Sequence, residues 1–253
     1  MLAGVFAFDA VFPHLPEWGI RAFPQSMTLP VLLDVSYASL AIALGVVVLL
    51  MVAFADRVDP AARAERGAPA AQPLSSREWG FVTAGVVAGL VILAATAQGQ
   101  YLGISGGFAA LVAHVAMPFG MTLDSVPVLD DTTAWRAAMV LGLFAGAAAS
   151  AMQSGSFRNV PVTPLWQAAF PSGLKTRAGA VLAGGFLIMF GALLGGGCTT
   201  GQFMAGFPTL SVGSFAMGLT FFGAGMATAF VLYWGRWRKF AEVRAQPLDL
   251  ATD

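Results

Sequence analysis

Long apolar runs separated by short polar stretches constrain this chain more than any other feature. In hydrocarbon, every backbone N–H and C=O must be satisfied within the protein, which leaves helices or closed barrels. Runs of about 20 apolar residues select helices. Five such runs occur: Val31–Phe54, Trp79–Ala97, Ala134–Met152, Ala178–Gly197 and Leu210–Trp234. A mean hydropathy of +0.76 and a charged fraction of only 10% exclude a water-soluble domain of this length. The formal net charge of zero gives no electrostatic case for nucleic acid.

Two further apolar pieces are too short to cross. Phe108–Met117 follows the glycine-rich stretch Gln98-Gly-Gln-Tyr-Leu-Gly-Ile-Ser-Gly-Gly107 and ends at Pro118, and ten helical residues rise only about 15 Å. The second lies in Gly195-Gly-Gly-Cys-Thr-Thr-Gly-Gln-Phe-Met-Ala-Gly-Phe-Pro208, where an apolar run breaks at the sole cysteine and a short segment closes on proline. Each is expected to enter the membrane and turn back. Paired interrupted segments are the sequence pointer to a transport site. The expected fold is therefore an all-α integral membrane protein of about five transmembrane helices plus two short re-entrant or broken-helix segments. Residues 1–30, broken by Pro13, Pro16, Pro24 and Pro30, are expected to lie in the interface, with Trp18 and the phenylalanines at headgroup level. Residues 31–235 form the membrane domain and 236–253 a tail. The N-terminus lacks a basic residue ahead of its apolar run, so it is expected to be retained rather than cleaved as a signal peptide.

Basic residues set orientation. Arg57, Arg63, Arg66 and Arg77 fall in 55–78, Arg158, Lys175 and Arg177 in 153–177, and Arg236, Arg238, Lys239 and Arg244 in the tail, with none in 118–133. This pattern places the two basic loops and the C-terminus in the cytoplasm of a multi-pass inner (plasma) membrane protein.

The break carries the candidate chemistry. Gly195, Gly196, Gly197 and Gly201 let backbone or ligand approach closely. A short helix starting near Thr199 would aim its free N–H groups and positive dipole end at whatever lies beside Cys198. With no Lys or Arg counted within the spans, an anion would be held by amides, by Thr199, Thr200 and Gln202, and by the thiol. One cysteine excludes an intrachain disulfide and a Cys-only metal site, and no metal or cofactor is expected. Plainer readings stand beside these: a small cysteine can serve packing alone, and Gly142-x-x-x-Gly146 is a helix-contact device. His114, in the first short segment, is a candidate pathway residue because a polar ring at that depth is costly without a partner. His14 is expected at the interface.

The run Phe186-Leu-Ile-Met-Phe-Gly-Ala-Leu-Leu-Gly-Gly-Gly-Cys-Thr-Thr-Gly-Gln202, with Gly146-Ala-Ala-Ala-Ser150, Ser154-Gly-Ser-Phe-Arg158, Gly103-Ile-Ser-Gly-Gly107 and Ser211-Val-Gly-Ser-Phe215, resembles the YeeE/YedE-type sulfur transport family over residues 80–234. The resemblance implies uptake of thiosulfate or a related sulfur compound along a cysteine-lined path, with Cys198 the residue carried over. The candidate pathway set is Cys198, Thr199, Thr200, Gly197, Gly201, Gln202, Ser105 and His114. Family members have two inverted halves and more than one such cysteine, whereas this chain resembles the second half. That implies a second membrane chain, a homo-oligomer, or a sufficient single cysteine. Expected partners are a small sulfur anion, membrane lipid and a cytoplasmic sulfur-carrier protein. The chain is expected to be a transporter or channel subunit and not an enzyme. The alternatives are a non-transporting subunit that anchors or assembles a sulfur-oxidising or respiratory complex, and a sulfurtransferase with Cys198 as persulfide carrier, which would need an activated thiolate.

Overall fold

The structure is a computed structural model that describes residues 1–15, 27–58, 81–155, 157, 162, 166–167, 170 and 173–235. Trp18, Arg63, Arg66, Arg77, Arg158 and the tail 236–253 lie outside the described residues. The elements in order are α1 (Leu2–Val11), a 3-10 turn (Phe12–His14), α2 (Leu29–Leu33), α3 (Tyr37–Val58), α4 (Phe81–Ala97), α5 (Ile104–Ala116), a 3-10 turn (Met117–Phe119), α6 (Asp131–Gln153), α7 (Leu174–Leu194), a π-helical segment (Thr200–Gly206) and α8 (Val212–Tyr233). Among the described residues there is no strand, only an isolated antiparallel bridge between Thr28 and Ser211.

Three helices are long and apolar enough to cross a membrane: Thr133–Gln153, Leu174–Leu194 and Val212–Tyr233. Tyr37–Met51 and Thr83–Ala97 are shorter apolar stretches within α3 and α4. The chain is a multi-pass, all-helical membrane protein. The first expected span, Val31–Phe54, is divided. Asp34 takes a left-handed conformation (φ 53°) that closes α2, and α3 starts afresh at Tyr37. Tyr37 donates its hydroxyl to the carbonyl of Pro208, and Leu29 N–H donates to Leu210 O at 2.8 Å, which ties this corner to the chain just before α8.

The helix α5 has 13 residues, about 20 Å of rise against a hydrocarbon core of about 30 Å. It lies in the heart of the molecule, with Ala109, Val112 and Ala113 buried against Val5 and Phe8 of α1, Met189 of α7 and Val126. Lipid tails are as apolar as these side chains, so close packing holds the core rather than transfer out of water. Small residues make that packing possible. A Cβ added to Gly4 would stand 2.8 Å from the Phe186 carbonyl oxygen, so α1 lies directly on α7. The first residues therefore do more than the expected interfacial stretch would. Val5 is fully buried and Phe8 nearly so, facing protein rather than headgroups. Gly142 and Gly146 face open space among the described residues, and α5 meets α6 closely at Gly107.

Candidate functional site

Three glycines end α7 in a specific way. Gly196 adopts φ 69°, the left-handed conformation that a side chain resists. Its N–H donates to Leu193 O at 3.1 Å and the Gly197 N–H to Ala192 O at 2.8 Å. This pair of bonds satisfies the last carbonyls of the helix and turns the chain away. The end of α7 is thus encoded locally. The chain then winds into the π-helical segment, a geometry that recurs at functional sites.

Polar side chains fix the break in place. Gln202, buried, donates from Nε2 to the Gly195 carbonyl at 3.1 Å and accepts from Ser214 Oγ at 2.6 Å. It clamps the end of α7 and the π-helical segment to α8. On the other side, the Cys198 N–H donates to Ser105 Oγ at 3.1 Å, joining the break to the first turn of α5. The Cys198 thiol is faced by the N–H groups of Gly201, Ser105 and Ile104 and by the Ser105 hydroxyl. Two chain segments therefore converge amides on one sulfur. Ser105→Ala orphans the Cys198 amide, which costs about 1–3 kcal/mol when a partly buried donor loses its partner. The expected outcome is a lower midpoint of thermal unfolding in detergent, and an unchanged midpoint would show that the bond does not hold the break.

A cavity of about 650 Å³ adjoins this wall. Ser105, Gly197, Gly201 and Gln202 line it, together with Tyr101, Ser125, Thr209, Ser214 and Arg136. Cys198, Thr199 and Thr200 do not line it. Cys198 is half-buried behind Ser105 and Gly201, and Thr199 is exposed. His114 is exposed nine residues beyond Ser105 on α5 and does not reach the cavity. The structure thus brings Ser105, Gly197, Gly201 and Gln202 to the cavity and leaves Thr199, Thr200 and His114 off it.

The expectation of cation-free spans fails at Arg136. It lies in the second turn of α6, inside the expected span Ala134–Met152, and among the described residues it is the one charged residue on the cavity wall. The signal was available: a guanidinium inside an apolar run is expensive and marks a site. Tyr101, Ser125, Thr209 and Ser214 gave no comparable signal, since isolated hydroxyls are common in membrane helices and loops. Among the described residues, no group of three His, Cys, Asp or Glu side chains is placed to hold a metal ion.

A family profile described as "Sulphur transport" matches residues 1–228, a wider stretch than the 80–234 over which the motifs show resemblance. The thiosulfate transporter TsuA of Spirochaeta thermophila is 28% identical over 151 residues, covering 58% of this chain and 39% of that protein. The chain thus matches well under half the length of that relative. No solved structure matches the chain significantly.

Proposed function

The chain belongs to the sulphur transport family, and from that premise we propose that it is a membrane transporter or channel subunit that carries thiosulfate past Cys198 at the broken helix. The family and the relative are transporters, not enzymes. The observation that carries the reading is the thiol at the break, faced by three backbone amides and a hydroxyl, with a cavity that hydroxyls and Arg136 line in part on the far side of Ser105 and Gly201. Amide donors suit an anion in transit because they stabilise negative charge through preorganised dipoles beside the thiol. A soft thiol can meet the terminal sulfur of thiosulfate where a hydroxyl would prefer oxygen. Ser105, Gly197 and Gly201 shape the wall between cavity and thiol, and Gln202 lines the cavity beside them.

The basic-residue pattern supports an inner-membrane orientation with a cytoplasmic C-terminus. A second membrane chain, a second copy, or further sequence would supply what corresponds to the rest of the longer relative, and a cytoplasmic sulfur carrier would receive the anion. In the native host, deleting the gene is expected to abolish saturable uptake of radiolabelled thiosulfate, with recovery when the chain is supplied again. Uptake that persists unchanged in the deletion strain refutes the transport reading.

A further inference from the structure

Arg136 sits where elementary electrostatics disfavours a cation. It lies near the N-terminal end of α6, and its guanidinium lies beside the first turn of α5: a Cβ built on Gly106 would stand 3.5 Å from Arg136 Nη1. The N-terminal end of α5 presents positive dipole charge, which repels a cation, whereas that of α6 is offset by its N-cap Asp130 and by Asp131 in its first turn. The first turn of α5 has no side-chain cap, because its N-cap residue is Gly103. Nor does a carboxylate offset the charge. Among the described residues Arg136 forms no ion pair, its Nε is buried without a hydrogen-bond partner, and no Asp or Glu lines the cavity. Of the two acidic residues at the start of α6, Asp130 accepts from the Thr133 N–H at 2.7 Å in a capping box and Asp131 is exposed in the first turn. Positions 132, 133, 139 and 140, one turn either side of Arg136 on its helix, hold no acid.

Two sources of positive potential, the guanidinium and the N-terminal end of α5, thus meet on one cavity that no carboxylate lines among the described residues. An anion in the cavity supplies the balance. We propose that Arg136 is the specificity-determining residue of the transport path: it grips the sulfonate oxygens of thiosulfate and leaves the terminal sulfur directed at the Ser105 wall and Cys198. A planar guanidinium matches paired oxyanion oxygens bidentately, which a terminal sulfur matches poorly. The order along the wall follows the chain, since Gly106 adjoins Arg136 and its neighbour Ser105 adjoins Cys198. The backbone that presents the guanidinium is fixed by the Asp130 capping box one turn before it and by the Gly107 contact with the Arg136 carbonyl.

This inference rests on the transport reading and is tested in the same host. Arg136→Gln is expected to raise the KM for thiosulfate about tenfold or more, as loss of a charge-assisted contact implies, while Arg136→Lys recovers part of it. Methanesulfonate, which shares the sulfonate end and lacks the terminal sulfur, is expected to compete with thiosulfate in the wild type and to lose that competition in Arg136→Gln. A purely structural arginine would instead lower the amount of folded protein and leave KM and competition as they are. Wild-type KM and wild-type inhibition in Arg136→Gln overturn the proposal while leaving the transport reading intact. Should the variant fail to accumulate, the purified wild-type protein decides: methanesulfonate must raise its unfolding midpoint, and no shift in a protein that transports thiosulfate rejects the proposal.

Discussion

Cys198→Ala is expected to reduce thiosulfate uptake to the level of the deletion strain while the protein still folds. Alanine keeps the backbone N–H that donates to Ser105 and removes one heavy atom from a half-buried site, so the break and the cavity wall persist. Loss of a single partly exposed atom costs well under the about 2–5 kcal/mol of a buried large-to-small change. Only the sulfur disappears from the ring of donors formed by Gly201, Ser105 and Ile104. Cys198→Ser separates size from chemistry: it retains volume and a donor but replaces a soft, polarizable atom with a strongly hydrated one, and uptake should stay far below wild type. If cysteine serves packing alone, both variants transport normally whenever they are folded. Wild-type uptake by folded Cys198→Ala would therefore remove the thiol from the path. The readouts are initial uptake rate and unfolding midpoint, measured on the same membranes and the protein purified from them.

The residues that were legible in the sequence are those whose local chemistry dictates geometry. Gly195–Gly197 announce a helix end wherever they stand, and the two bonds that close α7 follow from them. The short α5 was legible in part: an apolar piece from Phe108 bounded by Pro118 was expected, but the helix starts at Ile104 and takes in Ser105, Gly106 and Gly107. What stayed hidden depends on distant partners. Ser105 and Cys198 are 93 residues apart, and no periodicity announces that one hydroxyl accepts the other's amide. Gly107 was part of a turn by composition, yet its role is set by the backbone of α6. The same holds for α1: its prolines at the far end suggested an interfacial strip, while burial of Val5 against α7 depends on Gly4 meeting a specific carbonyl. Arg136 differs from these, since a charge in an apolar run is visible to the eye. Its sequence neighbours explain neither its cost nor its purpose; only the cavity does.

Gly107→Ala is expected to destabilise the protein more than any other single-methyl addition on α5. The added Cβ would lie 2.5 Å from both the carbonyl carbon and oxygen of Arg136 and 2.9 Å from the Ala137 nitrogen. These are backbone atoms of a continuous helix, so no rotamer can relieve the clash and α5 and α6 must move apart. Overpacking a close contact costs about 1–3 kcal/mol, and helix propensity, which favours alanine over glycine by about 1 kcal/mol, offsets only part. Gly142→Ala is the control, because the same methyl group there meets open space and keeps the propensity gain. A clear drop in unfolding midpoint for Gly107→Ala with none for Gly142→Ala is the expected pair of results in detergent; equal midpoints would mean that α5 and α6 are not in backbone contact at Gly107. The consequence reaches the site as well. Separation of α5 from α6 at Gly107 carries the Arg136 guanidinium away from the first turn of α5, so folded Gly107→Ala protein should transport thiosulfate with a raised KM, in the direction of Arg136→Gln and without any change to a cavity side chain.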